Sequence, residues 1–392
     1  MHPAVFALAL AAFSIGTTEF IISGILLAVS HDLSVSVPTA GLLVTGYAAG
    51  VALGGPILAL LLTRFPLKPT ILGVMSAFAI GQMLCAFAAS YELLLGARLI
   101  SACGHGVFFG VASVAISQLV PAEKRGAALS LFIGGITVAN ILGLPGGTAI
   151  GNAFGWRVTF VVIAVLALLS VVTVFFALPS SARDAEADAP LGKQAAQLLH
   201  QEVYLSYLVI AATLTGQVAF GTFQVAILTE VTGIDLVTMV PIFLLIGGAG
   251  AVIGIWLGGK LADWRIAPSF LSILVGQIGC FALLLLALPY PVPTAIMLFL
   301  NAMFGFGFST PVQVRILNGA RAAPRLAATM ISTAYNTGIA AGAFLGAALL
   351  NSGTPYAMLP AAGIVCSTIA LGLATISIIA SSRTPQDPEP LR

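Results

Sequence analysis

Long apolar runs, each closed by a short polar, proline or glycine break, recur along the whole chain. Hydrocarbon about 30 Å thick, crossed at 1.5 Å per residue, requires roughly 20 apolar residues per helix. The breaks delimit runs of that order at 3–29, 38–63, 68–90, 92–119, 126–151 and 156–178, and again at 203–230, 237–262, 267–289, 292–317, 324–350 and 355–381. Backbone groups in hydrocarbon must be satisfied within their own element, and the alternation of a barrel strand is absent, so these runs predict helices. One long polar stretch, Pro179 to Glu202, divides them six and six. The pattern therefore predicts an all-α polytopic membrane protein with twelve transmembrane helices in two pseudo-symmetric six-helix bundles, 1–178 and 203–382. Residues 179–202 form the connecting linker and 383–392 a tail.

Composition agrees with lipid as the solvent: 59% of the 392 residues are hydrophobic and 7% charged, against about 25% charged in an ordinary soluble domain. The net charge of +2 is scattered through short connectors, which excludes a nucleic-acid footprint. If the chain begins inside and alternates, Arg64, Lys68, Lys124, Arg125, Arg183, Lys193, Lys260, Arg265, Arg315, Arg321, Arg325, Arg383 and Arg392 share one side, while His31, Asp32, Glu92 and Asp235 mark the other. The excess of positive charge then makes both termini cytoplasmic. The first apolar run lacks a basic leader and continues to about Val29, so it is expected to stay as the first helix. Cys85, Cys103, Cys280 and Cys366 all fall in apolar runs, which predicts buried thiols, with neither a disulfide framework nor a metal site. No cofactor is expected. Gly254, Gly259 and Lys260 imitate a phosphate loop, but Leu261 stands where a magnesium-binding hydroxyl is required and a transmembrane helix precedes it.

The halves carry weak internal repeats. Gly16-Thr17-Thr18-Glu19 in the first helix is matched by Gly221-Thr222-Phe223-Gln224 in the seventh, and the connector ending in Arg64 by the one ending in Arg265. Such repetition is the mark of secondary transporters with a midplane site between repeats. Gly16-Thr17-Thr18-Glu19-Phe20, Arg98 followed by Gly104-His105-Gly106-Val107-Phe108-Phe109-Gly110, and Gly143-Leu144-Pro145-Gly146-Gly147 with Gly151 and Gly155-Trp156-Arg157 make the chain resemble the major facilitator superfamily. It is most similar to the twelve-span drug–proton antiporters of the chloramphenicol-resistance and arabinose-type sugar-efflux branch. The second-half connector Gly259-Lys260-Leu261-Ala262-Asp263-Trp264-Arg265 keeps the superfamily's motif, whereas Gly55 to Arg64 has lost its acid.

Glu19 and Arg98 are the ionisable groups set deep in apolar sequence, with His105 as a third group that titrates near neutrality. At 1.5 Å per residue, Glu19 falls at a depth of about 13 Å, between Arg98 at about 9 Å and His105 at about 20 Å. A charge at membrane depth costs about 2.5 kcal/mol or more and marks function by default. Glu19 is read either as the binder of the coupling proton or as half of a static polar lock with the fourth helix. Arg98 either fixes packing or polarises Glu19, and His105 either relays protons or packs. The resemblance implies that cavity-lining helices contribute Thr17, Thr18, Phe20, Tyr47, Phe108, Phe109, Thr137, Asn140, Gln217, Phe220, Gln224, Asn301, Phe306, Tyr335 and Asn336 to an amphiphilic substrate pocket. Each polar one among them could equally make an interhelical hydrogen bond, worth about 0.6 kcal/mol. Gly143, Pro145, Gly146 and Gly147 permit close helix approach. The resemblance adds that they seal or hinge the two halves, and that Gly259, Asp263 and Arg265 form a conformational motif.

No nucleophile–base set converges, so no enzyme is expected. The leading expectation is proton-coupled efflux of a small neutral or weakly polar solute, drug or sugar-like, from the cytoplasm across the inner membrane by alternating access. The partners would be that solute, protons and lipid, with the protein acting as a monomer. The alternative is a proton-independent facilitator or importer of a sugar, nucleoside or amino-acid derivative.

Overall fold

The computed structural model describes residues 2–62, 65–179, 200–320 and 324–383. Residues 180–199 of the expected linker and residues 384–392 of the tail lie outside them, as do the connector cations Arg64, Arg183, Lys193, Arg321 and Arg392. Twelve helices are long and apolar enough to cross a membrane, and the described residues contain no strand. They are α1 (Pro3–Asp32), α2 (Val37–Leu62), α3 (Leu67–Ala86), α4 (Tyr91–Leu119), α5 (Ala122–Val138, continued by Leu144–Phe154) and α6 (Trp156–Ala177). The second set is α7 (Gln201–Gly221, continued by Gln224–Glu230), α8 (Val240–Trp264), α9 (Ile266–Ala287), α10 (Pro291–Gly307, continued by Ser309–Gly319), α11 (Pro324–Asn351) and α12 (Leu359–Arg383).

Local chemistry sets the ends. Pro3 opens α1 where its missing N–H is no loss, and the His2 Nδ1 accepts from the Ala4 amide at 3.2 Å. The Ser90 hydroxyl caps α4 by accepting from Leu93 N–H at 3.3 Å. Gly155, at φ 91°, makes the turn from α5 into α6. Several runs differ from expectation. The third helix stops at Ala86, before 90, because the chain turns at Phe87 and Ala88. The fifth starts at Ala122, earlier than 126, because Pro121 sets its first turn, so that Lys124 and Arg125 belong to the helix. Three spans are broken. In α5 the Leu144 amide reaches five residues back to Ala139, a π-turn over Ala139–Gly143. It immediately precedes Pro145, which has no N–H to give and crowds the carbonyl of Ile141. α7 breaks at Thr222 and Phe223, and α10 at Phe308.

Helices α1 to α6 pack on one another and α7 to α12 on one another, and the two sets meet chiefly where α2 crosses α11 and α5 crosses α8. Outward faces are apolar, as Leu53, Phe176 and Leu286 show, all more than two-thirds exposed. Lipid tails are as apolar as leucine, so helix association rests on close contact and on polar bonds. Small residues supply the contact. Along α8, Gly250, Gly254 and Gly258 lie against the backbone of Phe299, Met303 and Gly307 in α10. The Trp256 ring receives the Lys260 ammonium at 4.0 Å near one end of α8, where an interfacial aromatic is favoured. Arg315, counted above with the connector cations, is instead buried within one end of the second bundle. It donates to the Ser377 carbonyl and hydroxyl, both at 3.1 Å, and pairs with Glu202 at 3.2 Å.

Candidate functional site

A cavity of about 170 Å³ lies between the halves, and α1 delivers Glu19, the one charged wall residue among the described residues. Consecutive helical residues turn by about 100°, so four neighbours of α1 part company. Thr17 bonds back to the Phe13 carbonyl at 2.8 Å and packs on Gly143 of α5. Thr18 donates to Gln82 Oε1 of α3 at 2.7 Å, inside the first bundle. Glu19 and Phe20 face the cavity. Among the described residues Glu19 makes neither a hydrogen bond nor an ion pair, the ion pairs present being Arg157–Asp32 and Arg315–Glu202.

The expected contact between Glu19 and Arg98 is therefore not an ion pair. Arg98, with no exposed surface, donates from Nη1 to the Thr18 carbonyl at 2.8 Å and lies over the Tyr47 ring at 4.2 Å. The guanidinium thus bonds the α1 backbone one residue before Glu19. Tyr47 in turn hydrogen-bonds His105 Nδ1 through its hydroxyl at 3.1 Å, and the imidazole meets Phe109 edge-on at 5.3 Å. The result is a buried file, Gln82–Thr18–Arg98–Tyr47–His105, within the first bundle. It joins Arg98 and His105 through Tyr47 in the bundle interior, while Glu19 is on the cavity wall.

Of the expected substrate-facing residues, Phe20, Asn140, Gln217, Phe220, Gln224, Asn301 and Phe306 line the cavity. The others are placed elsewhere. Thr17, Thr18 and Tyr47 are engaged as described, and Phe108 is wholly buried against Phe132, with ring centroids 5.8 Å apart. Phe109 packs on Phe108, Phe132 and His105. Thr137 is half-buried off the cavity wall. Tyr335 stacks on Phe308 at 6.3 Å, and Asn336 donates back to the Ser332 carbonyl at 3.1 Å. Leu144, Leu244 and Gly248 line the cavity without having been singled out, since nothing distinguishes them from other apolar residues in their runs. Gln82 was also missed; a lone amide in the apolar third run was its available signal.

The glycine motif of α5 serves α1 and not the second half. Gly143 and Gly147 face α1, where Thr17 and Ile21 fill the space a Cβ would need, and so act inside the first bundle. Gly146 has no neighbour within 4 Å of such a Cβ. The contact with the second half comes from the π-turn that Pro145 follows: Ile141 abuts Gly248 of α8 at 2.9 Å from the position of a Cβ. Gly259, Asp263 and Arg265 sit at the exposed end of α8, with the Arg265 guanidinium 6.0 Å from the Trp264 ring.

Side-chain bonds between the halves lie nearer than Glu19 to the face opposite the described helix ends Pro3 and Arg383. Asn152 of α5 donates to the Leu236 carbonyl at 2.9 Å, and Thr45 of α2 to the Ala340 carbonyl at 3.3 Å. The Phe223 ring fills the space beside Gly41. Leu236 sits in a turn held by Asp235, whose carboxylate accepts from the Thr238 amide at 2.7 Å and hydroxyl at 2.6 Å. Those bonds hold the Asp235 carboxyl below its ordinary range.

The family model described as Major Facilitator Superfamily matches residues 8–347. The chain is 33% identical over 379 residues to the inner membrane transport protein YdhP of Escherichia coli strain K12, covering 95% of each. It is 32% identical over 355 residues to the chloramphenicol resistance protein of Streptomyces lividans, covering 89% of each. Among solved structures, a bacterial homologue of the human lysosomal transporter Spinster, inward-facing and occupied, superposes with a TM-score of 0.76 at 19% identity, covering 98% of both chains.

Proposed function

Because this chain belongs to the major facilitator superfamily, and is thus a transporter and not an enzyme, we propose that it exports a small neutral or weakly polar organic solute in exchange for protons, with Glu19 as the proton-binding group. The observation that carries this reading is the placement of Glu19, the one ionisable side chain among the described residues on the wall of a cavity between the halves, without a bonding partner among them. A carboxylate in that position is reachable by both ligands. Its ionised form is unfavourable at membrane depth unless water or a ligand reaches it. Protonation therefore favours the arrangement in which the carboxyl is sealed off, and solute binding favours the open one, so the two ligands exchange. Phe20, Phe220 and Phe306 supply apolar faces, and Asn140, Gln217, Gln224 and Asn301 neutral hydrogen-bonding groups. The export direction is supported by the Streptomyces relative, whose name is that of a drug-resistance protein.

The reading includes a bacterial inner-membrane location with both termini cytoplasmic, in keeping with the name of the Escherichia relative and the one-sided Lys and Arg. In that orientation the bonds of Asn152 and Thr45 close the outer side. The test is Glu19→Gln, which keeps volume and hydrogen-bonding capacity but cannot exchange a proton. Purified variant in liposomes is expected to lose flux driven by an imposed pH gradient while still binding solute and melting near the wild-type temperature. Undiminished gradient-driven flux would remove Glu19 from coupling and move that role to His105, whereas wild-type flux that ignores the gradient would favour the proton-independent facilitator.

A further inference from the structure

The packing of α1 on α5 is repeated by α7 on α11. In the first half Gly143 and Gly147 of α5 receive Thr17 and Ile21; in the second, Gly342 and Gly346 of α11 lie against the backbone of Thr215 and Ala219. Both glycine pairs are four residues apart and so are the residues they face; Gly151 on Ile25 and Gly338 on Ala211 continue the two ladders, and among the registers four residues apart, the one that matches Thr17 with Thr215 also aligns the helix starts Pro3 and Gln201. In that register Glu19, two residues beyond Thr17, corresponds to Gln217, two residues beyond Thr215. Each also stands sixteen residues past the first residue of its helix, Pro3 or Gln201. The repeated sequence motif would have paired Glu19 with Gln224, but Gln224 lies past the break at Thr222 and Phe223 and begins the second piece of α7.

Glu19 and Gln217 line the same cavity from opposite halves. Gln217 is placed by α10: its amide nitrogen fills the space that a Cβ at Gly305 would need. The piece of α10 from Pro291 to Gly307 contains no basic residue, whereas α4 sets Arg98 on the α1 backbone at Thr18, next to Glu19. Resting on the reading of Glu19 as the proton-binding group, we infer that Gln217 is its second-half equivalent, a solute-facing amide whose neutrality limits the site to one exchangeable proton and sets the charge class of the solute. Glutamine is the nearest isostere of glutamate, so an acid can be moved across the cavity with little change of shape. With both positions acidic, the site would hold two carboxylates and favour a cation.

Proteoliposomes with an imposed pH gradient, and chloramphenicol and ethidium as neutral and cationic probes, test this. Glu19→Gln is expected to abolish gradient-driven flux, and Glu19→Gln with Gln217→Glu to recover about a tenth of the wild-type flux or more. Glu19→Gln with Gln224→Glu is expected to stay inactive. The inference falls if the Gln217 exchange remains inactive while melting near the wild-type temperature, or if the Gln224 exchange recovers as much. Should the double variant fail to fold, Gln217→Glu alone decides: the ethidium-to-chloramphenicol flux ratio is expected to rise about tenfold, and an unchanged ratio overturns the inference. Full flux in Glu19→Gln alone refutes the reading of Glu19 and this inference with it. Loss in the single variant without recovery in the exchange refutes the inference only. Wild-type vesicles that move neither probe overturn both.

Discussion

Arg98 illustrates how a buried charge is accommodated without an opposite charge in contact. Its guanidinium has a backbone carbonyl at 2.8 Å and an aromatic face at 4.2 Å; its plane meets the ring while an edge N–H donates, a combination that the compact ammonium of lysine does not reproduce. Arg98→Lys keeps the charge yet is expected to lower stability by about 1.5–3 kcal/mol, the range for hydrogen bonds to charged groups, read as a fall in melting temperature. An unchanged melting temperature would mean that the file from Gln82 to His105 is not structural. His105, hydrogen-bonded to Tyr47 and flanked by Phe109, has a packing role visible in its contacts. A relay role would additionally require it to reach the cavity, whose wall does not include it.

Among the elements, the broken helices concentrate around the cavity. The π-turn of α5 brings Asn140 to the wall and Ile141 onto Gly248, and the break in α7 separates Phe220 from Gln224, both on the wall. Discontinuity at midplane is tolerated where the backbone is buried in protein or lines a cavity. The second piece of α5 also carries Asn152, whose bond to the Leu236 carbonyl joins the halves. Losing it in Asn152→Ala is expected to cost the closed arrangement about 1 kcal/mol, which shifts the equilibrium about fivefold toward opening on that face. Spin labels at the exposed Ser36 and Val237, with Cys103 replaced by serine, would report this as a longer distance distribution. Identical distributions in variant and wild type would show that Asn152 is not a latch.

For the whole molecule, the proposed orientation has a direct consequence at the exposed Lys260, on the end of α8 beside Trp256. A cysteine there is expected to react with a membrane-impermeant maleimide only from the cytoplasmic side, and one at Val237 only from outside; the reverse pattern would invert the topology. The number of crossings and the division into two sets of six were legible in the sequence because hydrocarbon thickness imposes a length on each span separately. Glu19 and Arg98 stood out for a similar reason, since an ionisable residue within a long apolar run is visible without knowing what it packs against. Which polar residue faces the cavity was not legible. These helices are surrounded by lipid on one side and protein on the other, both apolar, so no strong periodicity marks the functional face. Thr17, Thr18 and Glu19 are adjacent in one apolar run, yet α5, α3 and the cavity each take one. The register between the halves was hidden in the same way: motif similarity favours Gln224 and helix packing favours Gln217. Close approach at Gly143 and Gly342 is a property of two helices together, and only their tertiary contact could decide it.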